Sequence, residues 1–357
     1  MRELRVETEH PYTVHIGQGA VKLLAERYGE LLGAADRVVV IADSQVAELH
    51  LERLLDALEG LEPKVLRVPA GEQAKSAESF MDCHSFLLSE NCSRNTVVLA
   101  FGGGAVGDLS GFVASTFMRG VPFIQVPTTI LAHDSAVGGK TAINHPLGKN
   151  MVGTFYQPRA VVYDSDFLET LPENEIRSGM AEVIKHAFIS NKGWLDELLV
   201  YEDFSAISGK ELEGHLEKGI AVKSAIVEED EFEGGVRKFL NFGHTLAHAI
   251  EAHLGYGKLT HGEAVVLGMA YALELSGSPE LPRFLNWAKA NQYPLGRLKD
   301  MPFEELLPYM KKDKKSTAAA LNFVLLDTIG QPYIETIPEQ RAQTAYDTLR
   351  KTIKEMI

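Results

Sequence analysis

The chain has little cysteine, no long apolar run and a deficit of positive charge, and each shortage excludes a class of protein. Only Cys83 and Cys92 occur among 357 residues, with no CxxC, so neither a disulfide framework nor a cysteine zinc ribbon is supported and both thiols are expected to be buried or idle. The neighbouring Cys83-His84 pair is too little for a metal site. No stretch reaches the roughly 18 uninterrupted apolar residues of a spanning helix, and the opening MRELRVETEHPYTVHIG has no apolar signal segment, so the chain reads as cytoplasmic, with no membrane partner. Lys and Arg number 35 against 49 Asp and Glu, and the formal charge of −14 opposes general binding to nucleic acid. An anionic ligand would need a locally concentrated basic pocket.

What is present suits a globular protein: 45% hydrophobic and 24% charged residues, in a length for which two domains are expected. The first half alternates short β-branched runs with helical patterns: RVVVIAD at 37–43, PKVLRVP at 63–69, TVVLAFGGG at 96–104, PFIQVPTT at 122–129 and AVVYD at 160–164. Runs apolar at nearly every position suit strands covered on both faces, which predicts an α/β domain with a mostly parallel sheet. After about residue 170 the apolar spacing changes to three and four, in ENEIRSGMAEVIKHAFIS, EKGIAVKSAIVEEDE, FLNFGHTLAHAIEAHL and GEAVVLGMAYALEL. These runs predict a helical C-terminal domain, with one late run, ALNFVLLDTIG, that suits a short strand or hairpin. The pattern change divides the chain into 1–170 and 171–357.

VVLAFGGGAVGDLSG contains GxGxxG at Gly102, Gly104 and Gly107, between a strand and a helix, where glycine lets backbone amides approach a pyrophosphate. A standard dinucleotide fold puts this turn after its first strand with an acid about 20 residues on, whereas here it comes later and position 127 is proline. Tight strand-to-helix packing without a ligand is the competing explanation. Asp43 at the end of an earlier strand, and Glu72 and Lys75 in GEQAKS, would suit ribose or adenine contacts, though each alone reads as a turn residue. VGGKTAINHPLGKN is not a P-loop, because the position five before Gly139 is Asp134. Read as a loop carrying Lys140, Lys149, Asn144 and Asn150, with Arg119 upstream, it could wrap a small anion.

Residues 241–253, NFGHTLAHAIEAH, read as one helix with three histidines. At about 100° per residue His244 and His248 share a face, while His253 lies roughly opposite His244. Glu182 with Lys185 ordinarily means an exposed i,i+3 pair worth a few tenths of a kcal/mol. A catalytic zinc takes three nitrogen or oxygen ligands and keeps one position open, so Glu182 with two of His244, His248 and His261 would complete a site. Spacing favours His244 with His248 but does not decide.

GGGAVGDLSGFVASTFMRG, VGGKTAINHPLGKNMVG, RSGMAEVIKHAFI, LNFGHTLAHAIE and HGEAVVLGM, in this order between about residue 37 and the KKDKK at 311–315, closely resemble the 3-dehydroquinate synthase family of sugar-phosphate cyclases. The resemblance implies a Rossmann-like NAD-binding domain at 1–170, a helical metal- and substrate-binding domain at 171–357, an active-site cleft between them, one divalent metal (zinc first, cobalt second), and a homodimer. It implies metal ligands at Glu182, His244 and His261, with His248 turned to the substrate. By motif, Asp134, Lys140, Asn150 and Lys185 join His248 as catalytic residues. Lys223 and Arg237 would take a substrate carboxylate, while Asn241, Lys314 and Arg119, the last from the other subunit, would take a phosphate. NAD contacts would come from Asp43, Glu72, Lys75, Gly103, Gly104, Asp108, Thr128, Thr129, Lys140, Lys149 and Thr170. TTILAHDSAVGGK is one residue shorter than the commoner family form, with Ala136 and Ala142 where Ser and Gly are usual.

The implied reaction turns 3-deoxy-D-arabino-heptulosonate 7-phosphate into 3-dehydroquinate and phosphate, a lyase step of the shikimate pathway. It proceeds by transient NAD-dependent oxidation, phosphate elimination, reduction and intramolecular aldol closure. Two alternatives remain at this stage: another sugar-phosphate cyclase whose substrate lacks the carboxylate, and a metal-dependent NAD polyol dehydrogenase, which would accumulate NADH.

Overall fold

The four runs most uniformly apolar in sequence form the middle of a seven-stranded sheet. A computed structural model describes residues 1–255, 257–312 and 320–357. In chain order the strands of its first half are β1 (Arg2–Val6), β2 (Tyr12–Gly17), β3 (Val38–Asp43), β4 (Lys64–Val68), β5 (Val97–Gly102), β6 (Phe123–Pro127), β7 (Lys140–His145), β8 (Gly148–Phe155) and β9 (Ala160–Asp164). Every residue of β3, β5, β6 and β9 is buried, because helices cover both sheet faces. Alternate residues of β3 enter opposite cores: Val38, Val40 and Ala42 pack with Leu99 and Phe101 on one side, Val39 and Ile41 with Val98 and Val113 on the other. Each such buried aliphatic side chain contributes about 1.5–3 kcal/mol.

The strand order is β1-β2-β9-β6-β5-β3-β4, with only β1 antiparallel to its neighbour. Among the parallel strands from β3 onward, the order reverses between β3 and β5. Ligands of open α/β sheets bind outside the carboxyl ends of the strands at such a switch point. The glycine turn therefore follows β5, not the first strand, and still lies at the switch.

Residues 137–150, read from sequence as a loop, instead belong largely to the antiparallel hairpin β7–β8, with Lys140 opposite Phe155 and His145 opposite Gly148. The N-terminal hairpin β1–β2 likewise had no sequence signal strong enough to mark it. Both cysteines are free and buried, and burial, with Asp82 adding, pushes the Cys83 thiol up to about 12, which leaves it inert.

Contacts divide the chain into two compact units, one of 1–171 with 213–232, the other of 172–212 with 233–357. The second unit is built from helices, chiefly Glu173–Ser190, His244–Leu254, His261–Leu275, Leu281–Ala290 and Glu339–Met356, with one hairpin, β10 (Ala320–Leu326) and β11 (Pro332–Pro338). Helix His261–Leu275 is buried on nearly all sides, as its continuous apolar run requires. Among the described residues no helix is long and apolar enough to cross a membrane.

Candidate metal centre and nucleotide-binding edge

In the second unit three helices present one ligand each. Glu182 lies in the middle of Glu173–Ser190, where the flanking residues 180–189 are all buried. His244 opens its helix directly after Gly243, whose φ of 82° reverses the chain, so residues 241–243 precede the helix that the sequence pattern extended through them. His261 opens the next helix after Thr260, whose hydroxyl accepts from the Glu263 amide while the Glu263 carboxylate accepts from the Thr260 amide.

Two close backbone approaches join these elements. A Cβ on Gly262 would overlap the backbone of Ser178, one turn before Glu182, and a Cβ on Gly268 would overlap the Gly243 carbonyl oxygen beside His244. The Gly262 amide also donates to Ser178 Oγ at 3.1 Å, and Arg177 pairs with Glu263 at 3.3 Å.

One ligand atom from each of Glu182, His244 and His261 lies within 4.8 Å of the others. Nε2 of His244 is 3.5 Å and Nε2 of His261 is 3.4 Å from Glu182 Oε1. The other ring nitrogens decide the tautomers. His244 Nδ1 is 3.1 Å from the Phe242 carbonyl and His261 Nδ1 is 3.2 Å from Glu251 Oε2; both partners only accept, so each Nδ1 carries the proton. Both Nε2 lone pairs therefore face a carboxylate oxygen, an arrangement that a divalent cation stabilises. Burial pushes the His244 imidazole down to about 3, outweighing the opposing pull of Glu182 and assisted by Lys185, so the ring is neutral, as a metal ligand must be. This donor set fits a three-ligand site with an open position.

His248 stands one turn on, its ring centre 5.4 Å from that of His244 and 6.1 Å from that of His261, and is not part of the ligand cluster. Glu182 and Lys185 do pair, at 2.5 Å, but both are buried, so the exposed-surface explanation does not hold for them. Arg237 is almost wholly buried in the turn Val236–Asn241, and Asn241 Nδ2 donates to Glu233 Oε1 at 3.0 Å. Lys314 lies outside the described residues. Glu251, Arg177 and Glu263 were not singled out in the sequence; Glu251 had one usable signal, its seven-residue spacing from His244, which returns to the same helix face.

In the first unit the candidate nucleotide residues gather at the switch point. Asp43 caps helix Ser44–Asp56, with Oδ1 accepting from the amides of Gln45 at 2.9 Å and Val46 at 3.2 Å, while Oδ2 accepts from Gly71 at 2.8 Å. The glycine turn is closely packed by protein: a Cβ on Gly103 would meet Thr129 Cγ2 at 2.9 Å, one on Gly104 Ser135 Oγ at 2.6 Å, and one on Gly107 Gln125 Oε1 at 2.7 Å. Internal packing thus accounts for these glycines by itself. Helix Gly104–Thr116 nevertheless begins without a side-chain cap, leaving first-turn amides for an anion. Thr128 is buried beside it.

Lys75 organises the rest. Its buried ammonium is 2.5 Å from Asp108 Oδ2 and also bonds Asn150 Oδ1, while Glu72 accepts from Asn144 Nδ2 at 2.8 Å and pairs with Lys149 at 3.5 Å. Burial pushes the Asp108 carboxyl up and Lys75 opposes it. Asn150 holds a φ of 58°, and Asn144 Oδ1 accepts from its amide at 3.0 Å. Lys223 donates to the Asp134 carbonyl and lies 3.2 Å from its Oδ1. Thr170 Oγ1 is 2.7 Å from His50 Nε2 at the rim. Lys140 and Arg119 are exposed, Arg119 with a φ of 68°.

A Rossmann-like sheet with a glycine turn at its switch point, joined in one chain to a helical unit with a metal-competent Glu-His-His cluster, defines a two-unit enzyme class. Comparison with known proteins narrows it. Residues 65–178 match the 3-dehydroquinate synthase N-terminal family and residues 179–316 the 3-dehydroquinate synthase C-terminal family. The chain is 49% identical over 354 residues to the 3-dehydroquinate synthase of Lysinibacillus sphaericus (strain C3-41), covering 98% of this chain and 97% of that one. It belongs to the 3-dehydroquinate synthase family. Among solved structures, 2-deoxy-scyllo-inosose synthase complexed with carbaglucose-6-phosphate, NAD+ and Co2+ shares the fold with a TM-score of 0.84 at 24% identity, covering 98% of this chain and 100% of that one. The 2-epi-5-epi-valiolone synthase of Streptomyces hygroscopicus subsp. jinggangensis 5008, with NAD+ and Zn2+ bound, does so with a TM-score of 0.79 at 23% identity, covering 99% of each chain.

Proposed function

We infer that the chain catalyses the reaction of its family, conversion of 3-deoxy-D-arabino-heptulosonate 7-phosphate to 3-dehydroquinate and phosphate, a phosphorus–oxygen lyase step of the shikimate pathway. Membership in that family across nearly the whole chain carries the reading. The structural relatives named for other cyclisations are about half as identical to this chain. We further propose NAD and one divalent metal as cofactors, supported by the donor set of the triad and by the ligands of those two structural relatives.

In this reading Glu182, His244 and His261 hold the metal, zinc in preference to cobalt. NAD lies along the carboxyl ends of β3 and β5, near Asp43, Glu72, Lys75, Gly103, Gly104, Asp108, Thr128 and Thr129, with Lys140, Lys149 and Thr170 at the margins. Asp43 already accepts three amide bonds, and an ionised carboxylate has about four acceptor sites, so one is left for a ribose hydroxyl. When bound, NAD supplies a reversible oxidation of the substrate's C5 hydroxyl and the metal polarises its oxygen. His248 removes the proton of that hydroxyl, standing beside the ligand cluster without belonging to it. Lys185 neutralises the buried carboxylate of Glu182. Lys223 and Arg237 receive the substrate carboxylate, and Asn241, Lys314 and Arg119 the phosphate, giving an acidic protein the local positive charge that a doubly anionic substrate requires. Asp134, by accepting from Lys223, fixes where that ammonium points, and Lys140 and Asn150 are assigned to the same reaction.

We place the enzyme in the cytoplasm, consistent with its two free, buried thiols, and propose a homodimer in which Arg119 serves the partner's site. Strand β8 offers exposed apolar residues for such contact, Met151 and Phe155 on one side and Val152 on the other, with Phe232 packed edge-on to Phe155. The decisive assay is phosphate release from the heptulosonate phosphate by protein supplied with NAD and zinc, with dehydroquinate and NADH followed in parallel. Phosphate and dehydroquinate in equal amounts without net NADH are expected. Net NADH would indicate a dehydrogenase, and turnover only of a sugar phosphate lacking the carboxylate would indicate a different cyclase.

A further inference from the structure

We propose that Glu251 is a positioning residue for the metal centre: it fixes the tautomer and orientation of His261 and thereby sets metal affinity. The inference rests on the metal-site reading above. Glu251 lies two turns after His244 on the same helix, and its carboxylate is buried, an unfavourable place for a charge unless it is bonded. Its Oε2 lies 3.2 Å from His261 Nδ1. A carboxylate only accepts, so the bond holds the proton on Nδ1 and leaves the Nε2 lone pair directed to within 3.4 Å of Glu182 Oε1.

The two ligand imidazoles are held by different means. His244 leans on the Phe242 carbonyl, part of the turn that Gly243 shapes, so its support is backbone and no side-chain substitution removes it. His261 is the first residue of its helix, and the groups beside it are engaged in the capping box of Thr260 and Glu263. Its ring therefore takes its orientation from a neighbouring helix, through Glu251. Because the acceptor is a carboxylate and not a neutral carbonyl, it also raises the basicity of the liganding nitrogen. Outer partners of this kind change metal affinity by about 10–100-fold when removed. Helix His244–Leu254 thus supplies one ligand and the support for another, so that its placement fixes two corners of the site.

The test is metal affinity, measured on chelator-stripped protein by zinc competition against a chromophoric chelator and by the visible absorption of bound cobalt. Glu251→Ala should weaken binding about 10–100-fold and alter the cobalt spectrum. Glu251→Gln, nearly isosteric and still an acceptor but uncharged, should fall between Ala and wild type, and keeps the test valid if the Ala variant does not fold. Glu182→Ala and His261→Ala serve as controls that should lose the metal. Wild-type affinity and spectrum in both Glu251 variants, with both controls metal-free, would overturn the proposal and leave Glu251 as a structural partner of the ring. Wild-type binding in the two controls would instead overturn the metal-site reading, and this inference with it.

Discussion

His244 and His248 are one turn apart on one helix, and what separates their roles is the environment of each ring. His244 is buried with its proton fixed on the Phe242 side, while His248 is only half-buried beside the cluster. We therefore expect His248→Ala to retain one equivalent of metal while losing about 10²–10⁴-fold in turnover, the usual contribution of a general base. His261→Ala should lose the metal itself. Metal analysis of the two purified variants decides it, and the reverse pattern would refute the division of labour. His244 also makes a pH prediction. Its ordinary value of 6.5 falls to about 3 on burial, so between those limits the unfolded metal-free chain binds a proton that the folded chain does not. Stability should be lost as pH falls through this window, by at most about 1.4 kcal/mol per pH unit from this residue. Urea midpoints of metal-free wild type and His244→Leu between pH 7 and 5 should show the shallower slope in the variant; equal slopes would mean that His244 titrates normally. Sequence spacing placed these rings on one face, but the burial that distinguishes them comes from three helices meeting, which spacing does not encode. Glu251 was missed for the same reason: a glutamate three residues after a histidine ordinarily reads as solvated helix surface.

At the scale of elements, the metal centre depends on how closely helix His261–Leu275 approaches its neighbours. Gly268→Ala would drive a methyl into the Gly243 carbonyl oxygen and displace the turn that sets His244. We expect a loss of about 1–3 kcal/mol, the usual penalty of overpacking, together with weakened metal binding. Gly209→Ala, where a Cβ meets nothing within 4 Å, should be near neutral by both measures. If Gly268→Ala were as benign, the close approach would not be what holds the triad. Helix His261–Leu275 and strands β3, β5, β6 and β9 were legible in sequence because elements buried on all sides read as unbroken apolar runs. The hairpin β7–β8 was not, because β8 is exposed along most of its length and its residues show no alternation. Its position is held instead by Lys75, which bonds Asn150, and by Glu72, which accepts from Asn144, contacts made across long sequence separations. The start of helix His244–Leu254 was misplaced because the apolar spacing runs on through Leu240 and Phe242, while the break is a backbone event at Gly243. Nor did any composition change mark 213–232 as part of the first unit, since helix Gly209–Glu229 runs unbroken through that boundary.

At the scale of the whole molecule, a net charge of −14 must coexist with a site for a dianion, and the cations proposed for it come from distant parts of the chain, Arg119, Lys223 and Arg237 among them. Arg119 is the one for which the proposed second subunit would matter. It is exposed, with a φ of 68° that non-glycine residues rarely adopt, and Gly120 follows it at a φ of 120°. Exposure leaves the Arg119 guanidinium open to contact from a second subunit, which suits the proposed role in the partner's site. Arg119→Ala and His248→Ala should each be nearly inactive alone. If Arg119 acts across the interface, a dimer containing one of each variant has one site that lacks both residues and one site with both intact. Random reassortment by co-expression or by unfolding and refolding together then restores about a quarter of wild-type turnover, since half of the two-fold dimers are mixed and each has one working site. If Arg119 serves its own subunit, both sites of the mixed dimer are defective and activity stays at the level of the parents. Measuring mass in solution on the same samples separates that outcome from a failure to mix: mixed dimers without activity would place Arg119 in its own subunit's site, and a monomeric wild type would remove the partner from the mechanism altogether.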